Sequence, residues 1–231
     1  MRTIGLIGGM SWESSLTYYR LINEGVKARL GGFHSARSVM VSVDFAIIED
    51  YQRAGDWASA ADHLAEAARS LARAGADCVV LCTNTMHKVA DVIEAAVNLP
   101  LIHIADPTAQ AVKAAGVHTV GLLGTRFTMD EPFYRDRLAQ IHGLDVLVPE
   151  TAGRALVDRV IFDELVHGDI RAESRALYVD EINALARQGA QGIILGCTEI
   201  GLLIKPEHSP LPVFDTTDLH ARAAVEFALA V

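Results

Sequence analysis

The chain has 231 residues, 51% hydrophobic and 21% charged, with a formal net charge of −9 at neutral pH. That length suits one large domain or two of about 110 residues, either able to bury a core. The acidic balance, with only 20 Lys and Arg and no basic cluster, argues against a nucleic-acid backbone as partner.

Met1-Arg2-Thr3-Ile4-Gly5 reads as the start of a strand and not as a secretory leader. No apolar run approaches the ~18 residues a membrane span needs. Three cysteines, Cys78, Cys82 and Cys197, are an odd number and do not read as a disulfide framework. The expectation is a cytoplasmic protein with reduced thiols.

Strand-length apolar runs alternate with segments of helical period. A strand over residues 3–8 (TIGLIG) precedes a helix over 14–29, and a second strand covers 38–43. An Ala-rich helix over 57–74 leads to a third strand at 78–82 (CVVLC). A helix over 86–97, a short strand at 101–104 and a helix over 107–115 follow. The strand 119–124 (TVGLLG) opens the second half, with helices predicted over 130–140, 154–167 and 172–188 and strands at 145–148, 193–196 and 213–214. A last helix runs from Thr217. Such alternation means βα units around parallel sheets, with no Ser/Gly linker between them.

An internal repeat divides the chain. Thr3-Ile4-Gly5-Leu6-Ile7-Gly8 matches Thr119-Val120-Gly121-Leu122-Leu123-Gly124 at an offset of 116 residues. Tyr18-Tyr19-Arg20 is echoed by Phe133-Tyr134-Arg135 at 115, and Leu71-Ala72-Arg73-Ala74-Gly75-Ala76 by Leu185-Ala186-Arg187-Gln188-Gly189-Ala190 at 114. Leu99-Pro100 is echoed by Leu211-Pro212 at 112. Two copies are too few for a solenoid. The fold class expected is therefore α/β with two pseudo-symmetric domains, each a parallel sheet flanked by helices. The domains would be residues 1–104 with 213–231, and 105–212. Ligands bind at the carboxyl ends of parallel strands, so the active site is expected in the interdomain cleft.

The run Gly192-Ile193-Ile194-Leu195-Gly196-Cys197-Thr198-Glu199 reads as a buried strand that ends by presenting a thiol. Cys197 is there either as a small core residue or as a nucleophile or base. The repeat, carried forward from Gly75 and Gly189, sets Thr83 opposite Cys197 and leaves Cys82 one place early. Successive strand side chains point to opposite faces, so Cys82 and Thr83 do not share a direction. Asn84-Thr85 and Thr198 follow these points as small polar residues, suited to a carboxylate or else to helix capping.

Gly5-Leu6-Ile7-Gly8-Gly9 lacks the G-x-G-x-x-G dinucleotide pattern, and Met10-Ser11 after it is placed to line the cleft. His87, His103 and His220 show no metal-ligand spacing and are read as structural; Cys78 is read as core.

Gly-Gly-Met-Ser at 8–11, Cys-Thr-Asn-Thr-Met-His at 82–87 and Gly-Cys-Thr-Glu at 196–199 resemble the cofactor-independent aspartate/glutamate racemase family, over essentially the whole chain. Ser42-Val43-Asp44-Phe45 and Phe214-Asp215-Thr216 share in the likeness, which is nearest to the broad-specificity amino-acid racemase and L-aspartate/glutamate racemase types. The resemblance implies two pseudo-symmetric α/β domains, no pyridoxal phosphate, no metal, and a homodimer. It implies that Cys197 acts on the L-enantiomer. It also implies that Thr83, Asn84, Thr85 and Thr198 hold the α-carboxylate and ammonium, and that Met10, Gln52 and Thr125 line the cleft. The family pattern has a cysteine directly before Asn-Thr, whereas this chain has Thr83 there. That departure weighs against a symmetric two-thiol mechanism.

Racemisation removes the Cα proton from one face and supplies one to the other. A thiol, which ordinarily titrates near pH ~8.5, can do either, more readily if a helix N-terminus lowers that value. A threonine hydroxyl can only relay or donate a proton, so Cys197 is the expected base and D-to-L turnover is expected to be slow. A racemic equilibrium still demands equal kcat/KM in both directions, so one-way behaviour would have to come from saturation or product binding. For the substrate side chain, Gln52 and Arg53 offer polar contacts. An acidic Glu164 nearby would favour a neutral substrate such as homoserine over aspartate or glutamate, and a solvent-facing Glu164 would leave all three open. The rivals are another enzyme on the same scaffold (hydantoin racemase, maleate isomerase or arylmalonate decarboxylase) and a non-catalytic cytosolic amino-acid-binding protein. No nucleic-acid or membrane partner is expected.

Overall fold

The computed structural model describes residues 1–230. The chain divides into two compact units, Met1–His103 with the segment from His220 onward, and Ile104–Leu219. Val231, which the domain assignment from sequence included, lies outside the described residues.

The first unit runs β1 (Ile4–Gly8), α1 (Trp12–Leu30), β2 (Ser38–Ser42), α2 (Phe45–Ala54), α3 (Trp57–Arg73), β3 (Cys78–Leu81), α4 (Ala90–Ala95) and β4 (Leu101–Ile102). Its sheet is four-stranded and parallel, in the order β2-β1-β3-β4. Side-chain alternation sorts the strand residues onto two cores. Ile4, Leu6, Cys78, Val80 and Cys82 pack with Tyr18, Ile22 and Val26 of α1. Ile7, Val79 and Leu81 pack on the other face with Ile48 of α2, Leu64 and Leu71 of α3, and Ile93 of α4. Both faces are covered, which is why these strands read as unbroken apolar runs. On α3 the buried positions include Ala60, Ala61, Ala65, Ala67 and Ala68, small side chains that let a helix lie close to a sheet.

The second unit repeats the plan: α5 (Ala105–Ala114), β5 (Thr119–Gly124), α6 (Arg126–Asp130), α7 (Pro132–Asp136), β6 (Asp145–Leu147), α8 (Thr151–Asp163), α9 (Ala172–Arg187), β7 (Gly192–Gly196), α10 (Ile200–Leu203) and β8 (Val213–Asp215); the last helix, α11 (Thr216–Leu229), belongs to the first unit from His220 on. The parallel order is β6-β5-β7-β8, strand for strand that of the first sheet. Register repeats as well. Ile4 pairs with Cys78, and Val120, its counterpart in the repeat, pairs with Gly192, the counterpart of Cys78. Positions 83 and 197 are thereby equivalent, each within its own sheet. Ile193, Leu195 and Cys197 share one core with α8 and α9, while Val120, Leu122 and Ile194 share the other with α5.

Several sequence expectations change. Residues 213–215 were assigned to the first domain, but they form β8, hydrogen-bonded to β7, and the chain enters the first unit only at His220. Helix α2 was not expected. Asp44 caps it by accepting the Ala46 N–H at 3.1 Å, and Gly55 closes it in the left-handed region, so both signals stood in the sequence. The helix expected over 130–140 is broken at Glu131, held extended at ψ 151° by the following Pro132. Beyond α7 the chain makes one π-helical turn, Arg137–Ile141. The helix expected over 86–97 is a 3₁₀ turn, Thr85–Val89, followed by α4. The helix expected over 154–167 starts at Thr151 and ends at Asp163, with a 3₁₀ turn, Leu165–His167, after it.

The repeat places a glycine in the middle of both first strands, and both are close approaches. A Cβ on Gly5 would lie 2.6 Å from the Cys78 carbonyl oxygen, a backbone atom. A Cβ on Gly121 would lie 2.8 Å from Ile193 Cδ1 and 2.9 Å from Leu185 Cδ1, both ends of flexible side chains. Gly5→Ala is expected to destabilise the chain by about 1–3 kcal/mol and Gly121→Ala by less. Urea denaturation of the two variants side by side checks the ranking.

Candidate functional site

In the second unit, Gly124 of β5 pairs with Gly196 of β7, so Thr125 and Cys197 leave the sheet at the same level on neighbouring strands. Thr125 caps α6, accepting the Thr128 N–H at 3.4 Å, and its hydroxyl stands 3.2 Å from that of Thr128. The Cys197 thiol donates to Glu199 Oε2 at 3.0 Å, and the Thr198 hydroxyl donates to the same oxygen at 2.6 Å. Glu199 is 3% exposed, so this carboxylate is withdrawn from water and directed at the thiol.

The electrostatics run against the expectation of a thiol activated by a helix N-terminus. Burial pushes the Cys197 thiol well above its ordinary range, and the Glu199 charge and hydrogen bond push the same way, with a smaller push from Asp158. The helix that follows, α10, has only four residues and little dipole to set against two carboxylates. At rest Cys197 is a thiol.

Beside it, the Thr216 hydroxyl donates to the Leu195 carbonyl at 2.7 Å, and Asp215 Oδ1 accepts the Thr217 N–H at 2.9 Å. The buried Thr217 hydroxyl has no hydrogen-bond partner among the described residues and is a further polar group at the carboxyl edge of this sheet.

In the first unit, Ile7 pairs with Leu81 and the Cys82 N–H bonds to the Ile7 carbonyl at 3.0 Å, so Gly9 and Thr83 leave neighbouring strands at the same level and Met10 comes one place later. Met10, Thr83, Asn84 and Thr85 are all buried. Asn84 stands at the N-cap position of the 3₁₀ turn without capping it through its side chain, so helix capping does not account for it. Gln52, on α2, is buried and donates to Met86 Sδ at 3.0 Å, which brings it against the turn that carries Thr85. Arg53 turns outward and pairs with Glu49 of its own helix. Cys82 lies on the opposite face, in the core against α1, where burial raises its thiol strongly.

Glu164 is buried rather than solvent-facing. It accepts from the Ser174 hydroxyl at 2.5 Å and has Arg159 and Arg171 at 3.6 and 3.8 Å. Two features escaped the sequence reading. One is the role of Glu199, two residues past the thiol and quoted only as part of a motif. The other is that His87, His103 and His220, far apart in sequence, gather in one buried cluster of the first unit.

A buried thiol paired with a carboxylate thus stands at the end of a parallel strand in a twice-repeated α/β unit. The chain belongs to the Asp/Glu/hydantoin racemase family, whose family profile matches residues 7–224. It is 55% identical to a Yersinia pestis protein provisionally named an Asp/Glu racemase, with a TM-score of 0.93 and 100% of each chain covered. An aspartate racemase homologue from Pyrococcus horikoshii is 34% identical, with a TM-score of 0.86 and again 100% coverage of each chain. The broad-specificity amino-acid racemase of Bacillus subtilis is 23% identical over 172 residues, covering 71% of this chain and 70% of its own. The two four-stranded parallel sheets flanked by helices are the racemase fold.

Because Glu199 and burial together hold the thiol protonated, wild-type Cys197 is expected to alkylate slowly with iodoacetamide near pH ~7 and faster as pH rises. Glu199→Gln removes the nearer negative charge, so the midpoint of that profile should move down. Mass spectrometry of the alkylated peptide reads the rate at Cys197 alone. An unchanged profile would mean that Glu199 does not set the thiol's proton affinity.

Proposed function

We propose that the chain is an amino-acid racemase that needs no cofactor, interconverting L- and D-forms of aspartate, glutamate or a broader set that includes homoserine. The observation that carries this is the hydrogen bond from the Cys197 thiol to the buried Glu199 carboxylate. In this reading an arriving substrate brings its α-ammonium, and that positive charge offsets the negative charge gathered at Glu199 and Asp158. The thiol proton moves to Glu199, and the thiolate takes the Cα proton of the L-enantiomer. The electron pair left on Cα spreads into the α-carboxylate, held by Thr83, Asn84, Thr85 and Thr198, with Met10, Gln52 and Thr125 as further contacts. A proton then returns to Cα from the face served by Thr83, giving the D-enantiomer.

The charge of Glu164 is already met by Ser174, Arg159 and Arg171. It therefore gives no reason to prefer a neutral substrate, and aspartate and glutamate stand level with homoserine.

Cα hydrogen exchange followed by NMR in D₂O, with L-aspartate, L-glutamate and L-homoserine supplied separately, tests the reading. Wild type should exchange at least one of them, and Cys197→Ala should lose about 10²-fold or more. No exchange with any of the three, while a hydantoin is racemised, would reassign the substrate. Thr83→Cys places a thiol on the first unit's strand end and should raise exchange of the D-enantiomers relative to wild type.

A further inference from the structure

Helix α1 buries one stripe of side chains and exposes another. Ser15, Tyr18, Ile22 and Val26 face inward. Trp12, Leu16 and Tyr19, spaced by four and three residues, form a second stripe beside the first, and they stand 65%, 59% and 51% exposed. A helix covering a sheet ordinarily turns polar side chains to water at such positions. Among the described residues the exposed aromatic side chains are Trp12, Tyr19 and Phe33, and all three fall on α1 or in the loop just after it.

The neighbours of α1 put this stripe on the open flank of the first unit. On the far side of the buried stripe, a Cβ on Gly25 would meet Val225 of α11 at 3.1 Å, and Arg29 pairs with Glu226 at 3.4 Å. His220 of α11 lies 2.6 Å from the Ile102 carbonyl of β4, so α11 covers the β4 side of the sheet and the exposed stripe looks toward β2. β2 is an edge strand. Its Met40 is in register with Leu6, which faces α1, and is itself exposed. The loop that carries Phe33 returns along the same flank, where the Ala36 N–H donates to Asn23 Oδ1 at 2.9 Å, one turn beyond Tyr19. Large apolar side chains gathered in this way mark an interaction site, where scattered ones do not.

Charge decides what fits the surface. Glu13, Arg20 and Lys27, seven residues apart, run in a line beside the stripe, the acid in the first turn and the bases further along. A second α1 laid parallel would set each charge against its like. Laid antiparallel about Leu16, it sets Glu13 of each copy against Arg20 of the other, and Trp12 of each against Tyr19 of the other. The two helix dipoles are then opposed, which is the favourable arrangement. The surface is thus complementary to itself under a two-fold rotation, the symmetry that closes a dimer. Each chain carries a formal charge of −9, so two copies repel unless they meet where charges balance locally and apolar area is available.

We propose that this flank of the first unit is a docking surface for a second copy of the chain, joined antiparallel through Trp12, Leu16 and Tyr19 of α1. The stripe, about 28 Å long and about 10 Å wide, falls short of the ~800 Å² that a stable pair buries on each partner. The contact therefore takes in Met40 and Phe33 as well. It does not depend on the racemase reading.

Sedimentation of the unaltered chain from ~0.1 to ~100 µM is the first test, and it should show a monomer–dimer equilibrium or a stable dimer. Leu16→Glu and Tyr19→Glu, both at exposed positions, should raise the dissociation constant about tenfold or more. Glu13→Arg alone and Arg20→Glu alone should each weaken the dimer, and the two together should restore it, because the reversed charges again meet their opposites. Leu16→Cys, at the axis, should close a disulfide between copies under mild oxidation. A monomer at every concentration overturns the proposal, as does a dimer that Leu16→Glu and Tyr19→Glu leave unchanged. A dimer weakened by both, in which the double charge reversal is no better than the single ones and Leu16→Cys does not cross-link, overturns the antiparallel pairing.

Discussion

The parallel pairing of β5 with β7, and of β1 with β3 in the same register, is the constraint on which the rest of the site depends. Each pairing ends its two strands level, so the next residues emerge side by side: Thr125 with Cys197 in one unit, Gly9 with Thr83 in the other, where Met10 follows one place later. Side-chain alternation then does the sorting. A residue one step earlier, such as Cys82, faces the core under α1, and a residue in step with Cys197 faces the opposite side of its sheet. A shift of one residue in either pairing would exchange these roles and turn buried apolar side chains to the wrong face.

The two halves carry one backbone plan and unlike chemistry. The second unit holds a thiol against a carboxylate. The first holds a threonine at the equivalent position, its backbone carbonyl 2.7 Å from His87 Nδ1. The thiol of Cys82, although adjacent in sequence, is committed to packing with Leu6 and Tyr18. Bringing it to the strand end would empty that position and disturb a close-packed core. The departure from symmetry is thus built into side-chain direction and is not a matter of rotamer choice.

The backbone plan was legible because it rests on local patterns. Apolar runs, the 112–116 residue repeat and the glycines at positions 5 and 121 all follow from short-range sterics and periodicity. Even the equivalence of Thr83 with Cys197 could be counted along the chain. Helix α2 was missed although Asp44 and Gly55 mark its ends, and the break at Glu131 was missed although Pro132 announces it. The course of β8 was not legible, because which sheet a short strand joins is decided by pairing at a distance. The thiol's proton affinity was misjudged for a similar reason. Its sign depends on how deeply Cys197 is buried and where the Glu199 side chain turns, neither of which a motif records. The histidine cluster joins residues 87, 103 and 220, and only the folded chain brings them together.

Holding Cys197 as a buried thiol also bears on durability. Thiolates attack peroxides and disulfides, so a thiol's susceptibility to oxidation follows the fraction ionised and its exposure. Cys78, Cys82 and Cys197 are all free, all buried and all shifted toward the protonated form, with Cys78 at about 11. Burial and protonation together keep the sulfur at the end of β7 chemically quiet. The Glu199 carboxylate, by raising the thiol, adds to the protection that burial gives.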